Sequence, residues 1–399
     1  MTKRKQSKGN SGERFKMVGR TVRGLEEILA QELRALGAAR VTPANRAVTF
    51  EGDRTLLYRA NYELRTALRI LKPIYSFRIA GQSDLYRKLK QYDWARHLSN
   101  ETTFAIDSAV HSRIFSNSLY AALKTKDAIV DWFREKTGRR PSVDTERPDL
   151  RLHLHLADRE CTISLDSSGE SLHRRGYRTE ASAAPLSEVL AAGLVLAAGW
   201  DGETPFLDPM CGSGTIAIEA ALIAGRIPPG RLRERFGFMG WPEFDEDLWQ
   251  TVRANAQARS RPISDGLITA YDIDRRAIAI SRANMGRAGL SETAIHWQAT
   301  DFLQEQPPAE SRTIVMNPPF GERLQSANLN DFYKSIGDQL KQRYSGSTAW
   351  ILSSNLEALK KVGLKPSRKL TVQNGPLECS FRRYDMYTGS MDQKPPIIE

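Results

Sequence analysis

The sequence has little of what marks secreted, membrane-spanning or metal-binding proteins. Its 399 residues include three cysteines, too few and too widely separated for a disulfide framework or a zinc ligand set. The longest apolar run, residues 189–200, is too short to span a bilayer and contains two glycines. Residues 1–16 have no apolar segment, so they do not form a secretory signal. These absences predict a cytoplasmic protein that holds no metal.

Histidine is also scarce, with six residues in the chain. His153 and His155 alternate along a predicted strand and therefore share one face, but no third ligand lies near them in the sequence. The pair therefore predicts a solvated strand face rather than a zinc site.

Positive charge is unevenly distributed along the chain, whose formal net charge is +11. Residues 1–180 hold 34 basic and 22 acidic side chains, whereas residues 181–399 hold 24 and 25. A polyanionic partner that docks on the first half would explain the excess, because phosphate neutralisation supplies most of the sequence-independent affinity for nucleic acids. A basic domain without such a partner is the alternative.

Two patterns divide the chain. Residues 14–166 mix short strands with helices, and within them residues 55–70 and residues 84–98 each have the apolar spacing of one helix. Residues 167–184 are rich in small, polar and basic side chains and predict a linker. Residues 185–390 alternate helices with short apolar strands, which is typical of a parallel α/β sheet.

The segment 206–215 joins the end of a predicted strand to the start of a helix through a glycine-rich turn. Gly212 and Gly214 lack a Cβ, so the backbone can approach a ligand there, and the following helix offers free N–H groups. A P-loop would require a lysine that is absent, whereas a dinucleotide fingerprint matches through Gly212, Gly214 and Ala217. An ordinary strand–helix turn is a third interpretation. The fourth is a loop that binds S-adenosylmethionine (SAM), in which Asp208 would bond the charged amino-acid end.

Acidic residues follow the next two predicted strands. Asp272 ends the second strand, where a carboxylate can accept both ribose hydroxyls of an adenosine group in SAM or in a dinucleotide. Asp274 is better placed to cap the following helix. Asp301 ends the third strand and is positioned to accept a hydrogen bond from an adenine amino group.

Asn317-Pro318-Pro319-Phe320 follows the apolar run of the fourth predicted strand. Because ligands of an open α/β sheet bind beyond the carboxyl ends of its strands, Asn317 is expected to face the same crevice as Asp208. The Asn317 side-chain oxygen and the Pro318 carbonyl would accept both hydrogens of an exocyclic base amine and aim its lone pair at a methyl group. The prolines stiffen the loop, and Phe320 offers a face for an extruded base. A plain turn is the alternative.

Cys211 bears on a different methylation chemistry. Carbon methylation of pyrimidines uses a cysteine nucleophile. Cys211 lies inside the glycine-rich turn rather than beside Asn317, so it is interpreted as a small buried packing residue. Its position argues against a mechanism through a cysteine adduct.

Three segments of the chain resemble the THUMP-domain class I RNA methyltransferases, in particular the bacterial branch that contains guanine-N2 methyltransferases of 23S ribosomal RNA. They are residues 172–195, 208–224 and 317–324. The resemblance implies a Rossmann-like class I methyltransferase domain with a seven-stranded mixed sheet, preceded by an α+β ferredoxin-like/THUMP domain. The implied parts are a disordered basic tail (1–13), a ferredoxin-like subdomain (14–70), an RNA-binding THUMP domain (71–166), the linker (167–184), the methyltransferase domain (185–390) and a C-terminal tail (391–399).

The same resemblance assigns roles to the candidate residues. It implies that SAM is held by Asp208, Gly212 and Gly214, its ribose by Asp272 and its adenine by Asp301. It implies that the target base is held by Asn317, Pro318 and Phe320. The implied partner is RNA, as 23S rRNA or a ribosomal assembly intermediate, with no membrane and no metal. The family's best-known member has a second methyltransferase domain that is absent from this sequence, which implies a single activity.

Four hypotheses follow. The first is guanine-N2 methylation of ribosomal RNA. The second is adenine-N6 methylation of RNA or DNA, because a similar tetrapeptide serves adenine-directed relatives. The third is a non-catalytic RNA-binding assembly factor with a methyltransferase fold, which the intact Asp208, Asp301 and Asn317 disfavour. The fourth is a dehydrogenase, which the Asn-Pro-Pro sequence disfavours.

Overall fold

In the computed structural model, the structure describes residues 12–178, 186–307, 310–319 and 326–387, with the backbone alone for residues 326–328. The chain divides into two compact units. The first takes in the chain up to Thr21, Leu29–Leu172 and Arg233–Asn255, and the second takes in Val22–Ile28, His173–Leu232 and the chain from Ala256 onward. Within the described ranges, no helix has both the length and the apolar character needed to cross a bilayer.

A mixed sheet with helices forms the first unit. Its strands are β1 (Phe15–Thr21), β2 (Ala39–Ala44), β3 (Ala47–Gly52), β4 (Ala67–Arg78), β5 (Phe104–His111), β6 (Leu150–Ala157) and β7 (Glu160–Asp166). The helices between them are α1 (Glu26–Ala35), α2 (Arg54–Glu63), α3 (Gln82–Leu89) and α4 (Ser118–Thr137). Over the described residues the spatial order is β2-β3-β1-β4-β7-β6-β5, with β5 and β6 parallel and the other neighbours antiparallel.

Strand β4 contradicts one prediction. Residues 55–70 have the spacing of a single helix, but α2 ends at Glu63 and residues 67–70 belong to β4. That strand pairs with β1 on one side and with β7 on the other. Hydrogen bonds to two distant strands outweigh a weak local preference for helix, and the sequence pattern does not contain them.

The helix predicted over residues 84–98 is also shorter than expected. It ends at Leu89, and a separate 3-10 turn follows at Trp94–Arg96. Trp94 is fully buried, and its indole N–H donates to the Leu89 carbonyl at 2.8 Å. The buried indole thus satisfies a carbonyl at the helix end, and the helical spacing breaks there.

A second mixed sheet forms the core of the second unit. Its strands are β8 (Phe206–Asp208), β9 (Ile268–Asp272), β10 (His296–Ala299), β11 (Thr313–Met316), β12 (Thr348–Ser353), β13 (Arg368–Asn374) and β14 (Leu377–Asp385). The helices of this half of the chain are α5 (Glu188–Ala197), α6 (Thr215–Ala224), α7 (Glu246–Ala258), α8 (Arg275–Arg287), α9 (Ser326–Arg343) and α10 (Leu356–Lys361). In the described chain the order is β10-β9-β8-β11-β12-β14-β13, with β14 antiparallel to its neighbours. The predicted fold class is confirmed.

The topology of this second sheet locates a ligand crevice. Strands β10, β9, β8, β11 and β12 are parallel, so their carboxyl ends lie at one edge. From β8 the chain adds β9 and then β10 on one side of the sheet, whereas β11 and β12 lie on the other side of β8. The direction in which successive strands are added therefore reverses between β8 and β11. Open α/β sheets bind ligands outside such a reversal point.

Residues 233–255 pack with the first unit, although the sequence prediction placed them in the same domain as the second sheet. Aromatic rings make this contact. Tyr58 of α2 stacks on Phe238, with ring centroids 4.3 Å apart. Tyr62 meets Trp249 of α7 edge to face at 5.3 Å. Buried aromatic pairs of this kind contribute large apolar area and fixed geometry, which anchors the segment there.

Candidate active site

Asp208 ends strand β8 at the carboxyl edge of the second sheet. Its side chain is fully buried, and neither carboxylate oxygen has a hydrogen-bond partner among the described residues. Burial, and then the charge of Asp272, raise the pKa of this carboxyl to about 8, against a weaker opposing effect of the nearby Met210 and Ala217 backbone N–H groups, which do not reach hydrogen-bond geometry. Buried polar atoms are almost always paired in native proteins, so this carboxylate is placed to receive a donor from a ligand.

The glycine-rich turn after β8 is held from outside by neighbouring elements. The Cys211 N–H donates to the Tyr271 carbonyl at 2.8 Å. The Gly212 carbonyl accepts from the Ser281 hydroxyl of α8 at 2.8 Å, and the Ser213 carbonyl accepts from the Asn284 amide at 2.9 Å. These contacts hold the turn through its Cys211 N–H and its Gly212 and Ser213 carbonyls.

The two predicted glycines have different roles in this turn. Both have positive φ, +54° at Gly212 and +80° at Gly214. A Cβ on Gly214 would lie 2.7 Å from the Trp297 ring and 2.9 Å from Ser281, so no side chain fits. A Cβ on Gly212 would meet nothing within 4 Å. Gly214 thus allows close packing, whereas Gly212 faces open space where a ligand can approach the backbone.

Asp272 and Asp301 lie where the sequence placed them, and each also has a local structural contact. The Asp272 carboxylate accepts from the Gly212 N–H at 2.8 Å and from the Asp274 N–H at 2.9 Å. Asp301 accepts from the Leu303 N–H at 2.9 Å and caps the 3-10 turn that follows β10. Their expected contacts to ribose and adenine stay predictions. The expectation that Asp274 caps α8 is confirmed, since its side chain accepts from the Arg276 N–H.

Ile273 is a residue of this edge that the sequence reasoning missed. It stands between two acidic residues at the end of β9 and is 73% exposed, the highest fraction among the large apolar side chains in the described ranges. An exposed apolar group beside the hydrogen-bond acceptors of Asp272 is suited to contact the face of a heterocycle. Its exposed position in the structure, rather than its residue type, identifies it as a candidate contact residue.

Asn317 directly follows β11, the strand next to β8 in the sheet. The ladder pairs Ile314 with Leu207, so Asn317 lies slightly beyond Asp208 at the same edge. Its side-chain oxygen Oδ1 is buried and has no hydrogen-bond partner in the described part of the chain. The following Pro318 is buried as well. Phe320, the remaining residue predicted to hold the base, lies outside the described residues.

Cys211 is buried, 8% exposed, within the turn itself. Burial, and then the charge of Asp208, raise the pKa of its thiol well above the usual value. A thiol kept protonated in this way is a poor nucleophile. The interpretation of Cys211 as a packing residue is therefore confirmed.

The site as a whole presents hydrogen-bond acceptors. Asp208 and Asn317 both offer buried oxygens without a hydrogen bond at one edge of the sheet. Across the described ranges, no group of three His, Cys, Asp or Glu side chains is arranged to hold a metal ion. Such an edge is suited to bind amines and other donors rather than to activate a nucleophile.

Three families match consecutive parts of the chain. Residues 175–383 match the RMKL-like methyltransferase domain. Residues 82–166 match the THUMP domain, and residues 16–71 match the RlmL ferredoxin-like domain.

Individual proteins are also similar to the chain. A Synechocystis protein named as an RNA methyltransferase is 42% identical over 366 residues, which cover 92% of this chain and 95% of that protein. The ribosomal RNA large subunit methyltransferase K/L of Photobacterium profundum is 38% identical over 94% of this chain, and the match covers 53% of its own length. The chain thus spans about half of that relative. A crystal structure of a methyltransferase complexed with S-adenosylhomocysteine has 28% identity and a TM-score of 0.85, covering 95% of this chain and 100% of the other.

Proposed function

We propose that this chain, which belongs to the RMKL-like methyltransferase family, transfers a methyl group from SAM to the exocyclic N2 amino group of a guanine in 23S ribosomal RNA. Membership of this family, with the THUMP match, confirms the resemblance found in the sequence. The relatives that are named for the ribosomal large subunit support the choice of substrate. Because the chain covers about half of those proteins, their substrate is part of the proposal.

The observation that carries the proposal is the unpartnered Oδ1 of Asn317. An exocyclic amine is a poor nucleophile, because its nitrogen lone pair is delocalised into the base. The Asn317 oxygen and the Pro318 backbone carbonyl would each accept one hydrogen of that amine, which localises the lone pair and directs it away from them. The hydrogen bonds strengthen as positive charge develops on nitrogen, so they stabilise the transition state more than the bound substrate.

The cofactor's residues would be those of the glycine-rich turn and its neighbours. SAM, when bound, supplies a methyl group already activated on a sulfonium. No donor of the described protein reaches hydrogen-bond geometry with the buried Asp208 carboxylate, which fits the ammonium of the cofactor's amino-acid end. Gly212 leaves open space for close approach of the backbone, and Gly214 lets the turn pack. Asp272 and Asp301 are proposed to accept from the ribose and the adenine.

RNA is proposed to bind through the first half of the chain. That half carries all of the excess positive charge. Phosphate neutralisation by such a surface positions a nucleic acid without selecting a sequence, so the base itself would be selected at Asn317. Phe320 is proposed to stack on the extruded base.

Replacing Asn317 by alanine tests the proposal. Removal of one preorganised polar contact costs about 10²–10³ in rate. SAM affinity should be unchanged, because other strands build the cofactor turn. Single-turnover transfer to ribosomal RNA, SAM titration by calorimetry and a melting curve should therefore show a slow, stable, SAM-binding variant. Asn374→Ala, at the end of β13, is the matched control and should keep the wild-type rate.

The identity of the methylated base needs its own measurement. Nucleoside mass spectrometry of the modified RNA should find N2-methylguanosine. N6-methyladenosine would replace the guanine assignment by the adenine-directed alternative. An Asn317→Ala protein that is stable and transfers at the wild-type rate would overturn the catalytic role, and a wild type without transfer would favour a binding factor.

A further inference from the structure

A row of charged and imidazole side chains crosses one face of the first unit's sheet. The strand registers put Arg20 opposite Arg69, and His153 opposite Asp107. Arg69 bonds to Asp166 and also reaches Asp107, with 3.4 Å between nitrogen and oxygen. Its guanidinium therefore extends from β4 across the strands that hold Asp166 and His153, which makes the row continuous.

Two arginines of this face are neutralised by two carboxylates. Arg69 pairs with Asp166 and Asp107, and Arg151 pairs with Asp107 at 3.1 Å. These four side chains leave no net charge between them. Any further positive group on this face therefore adds positive charge that no carboxylate of the four balances.

Arg20 is that further group. It is half-buried and forms no ion pair with any described residue. Burial, and then the charge of Arg46, lower the pKa of its guanidinium. A partly desolvated cation next to other cations is unfavourable unless an anion binds there.

Two histidines complete the row on β6. His153 is 8% exposed, and its ring atom Nδ1 has no hydrogen-bond partner in the described protein. His155 lies two residues along the same face and is half-buried. Arg69 lies opposite Arg20 and reaches Asp107, which lies opposite His153, so this row connects Arg20 to the histidines; the charge of Arg20 lowers the pKa of both imidazoles, after the larger effect of burial. Both rings therefore lie in the positive potential of Arg20.

We propose that Arg20, His153 and His155 form a binding site for a backbone phosphate of the RNA substrate. A phosphodiester has one negative charge and two non-bridging oxygens, which accept hydrogen bonds from a guanidinium and from imidazole N–H groups. It would neutralise Arg20 and supply the missing partner of His153. This proposal rests on the proposed function only in taking RNA as the polyanion. The phosphate site lies within the first unit rather than at the edge of the second sheet where methyl transfer is proposed.

The test measures RNA affinity without SAM and without methylation. A fluorescent twelve-nucleotide oligouridylate is titrated with the full-length protein at several salt concentrations. Each phosphate contact contributes about 0.7 to the slope of log affinity against log salt for a single strand. Arg20→Gln should reduce the slope by about that amount and lower affinity several-fold at moderate salt. His155→Gln should lower affinity several-fold. Melting curves of both variants verify the fold.

Arg96→Gln is the matched control. Arg96 belongs to the same unit, is 70% exposed and pairs with Asp93, so its replacement removes one positive charge outside the row. Affinity and slope should stay close to the wild type. An equal loss of affinity in the control would show that RNA responds only to the overall positive charge of the unit, and would overturn the site. Folded Arg20→Gln and His155→Gln proteins with wild-type binding would also overturn it. So would displacement of the RNA by polyglutamate. If oligouridylate binds as expected but ribosomal RNA is not methylated, the phosphate site stands and the proposed function fails.

Discussion

The ionised side chain of Asp208 is in an unfavourable environment, because burial and Asp272 raise the pKa of this carboxyl to about 8. In the unfolded chain the carboxyl loses its proton near pH 4. Between these values the folded state keeps a proton that the unfolded state has lost, so stability falls as the pH rises from about 4 to about 8. Asp208→Asn should remove this dependence and be more stable than the wild type at about pH 9 by on the order of 5 kcal/mol.

The same variant separates stability from binding. Without a carboxylate for the cofactor's ammonium, SAM affinity should fall about a hundredfold, the equivalent of one charge-assisted hydrogen bond. Scanning calorimetry across the pH range and isothermal titration with SAM measure the two effects. The exposed Asp265, changed to asparagine, should alter neither. Parallel pH profiles for Asp208→Asn and the wild type would contradict the effect assigned to burial.

Single residues of the site differ in how far the sequence predicts them. Asp208 and Asn317 each follow an apolar run directly, so the strand end alone fixes the edge on which they lie. Ile273 also follows such a run, but only its exposed fraction distinguishes it from a packed side chain. The expected solvation of the histidine pair was wrong for His153, which is buried. The alternating pattern of β6 determines the face of the sheet on which His153 lies, whereas the burial of His153 depends on contacts with residues far along the chain.

At the scale of the element, the turn between β8 and α6 contains two glycines whose replacement by alanine should destabilise the protein to different extents. Positive φ alone costs an alanine about 1–2 kcal/mol. Gly212→Ala should lose about this much stability, and its methyl group should also weaken SAM binding, because it enters the open space beside the turn. Gly214→Ala should lose considerably more, because its Cβ would lie 2.7 Å from Trp297. Urea unfolding of both variants measures the difference, and equal losses would be inconsistent with it.

Strand β6 should make the protein sensitive to acid. Burial, and then Arg20 and His155, lower the pKa of His153 to about 4, with Arg69 acting in the same direction and Asp107 against it. The unfolded chain binds this proton near pH 6.5. Stability should therefore fall between about pH 6.5 and about pH 4, by up to about 3 kcal/mol from this group. His153→Gln should flatten that part of the profile, whereas His296→Gln, on an exposed side chain, should leave it unchanged.

Whole elements were predicted where one pattern runs without interruption. Helix α6 after the glycine-rich turn and the alternating strand β6 follow such patterns and were found where expected. The error at residues 67–70 concerns a place where partners far along the chain decide the structure. Strand β4 forms because β1 and β7 pair with it, and no periodicity within residues 67–70 contains that information.

At the scale of the whole molecule, the sequence predicted the two sheets but not how the chain is shared between the units. The linker predicted at residues 167–184 marks a change of composition, and a boundary there would imply two contiguous domains. Contacts instead assign Val22–Ile28 to the second unit and Arg233–Asn255 to the first. In the second unit, the Arg23 carbonyl accepts from the Gln373 N–H at 3.0 Å. Segments this short have no compositional signature of such an exchange.

This exchange of segments has a consequence for the order in which the protein acquires its structure during translation. The first unit lacks part of its own core until Asn255 has emerged from the ribosome. Translation at about 5–20 residues per second needs about 4–16 s to cover the roughly 80 residues between Leu172 and Asn255. Nascent chains stalled soon after Leu172 has emerged should remain sensitive to protease, and chains stalled after Asn255 has emerged should be protected. Full protection at the earlier point would mean that the first unit folds without its late segment.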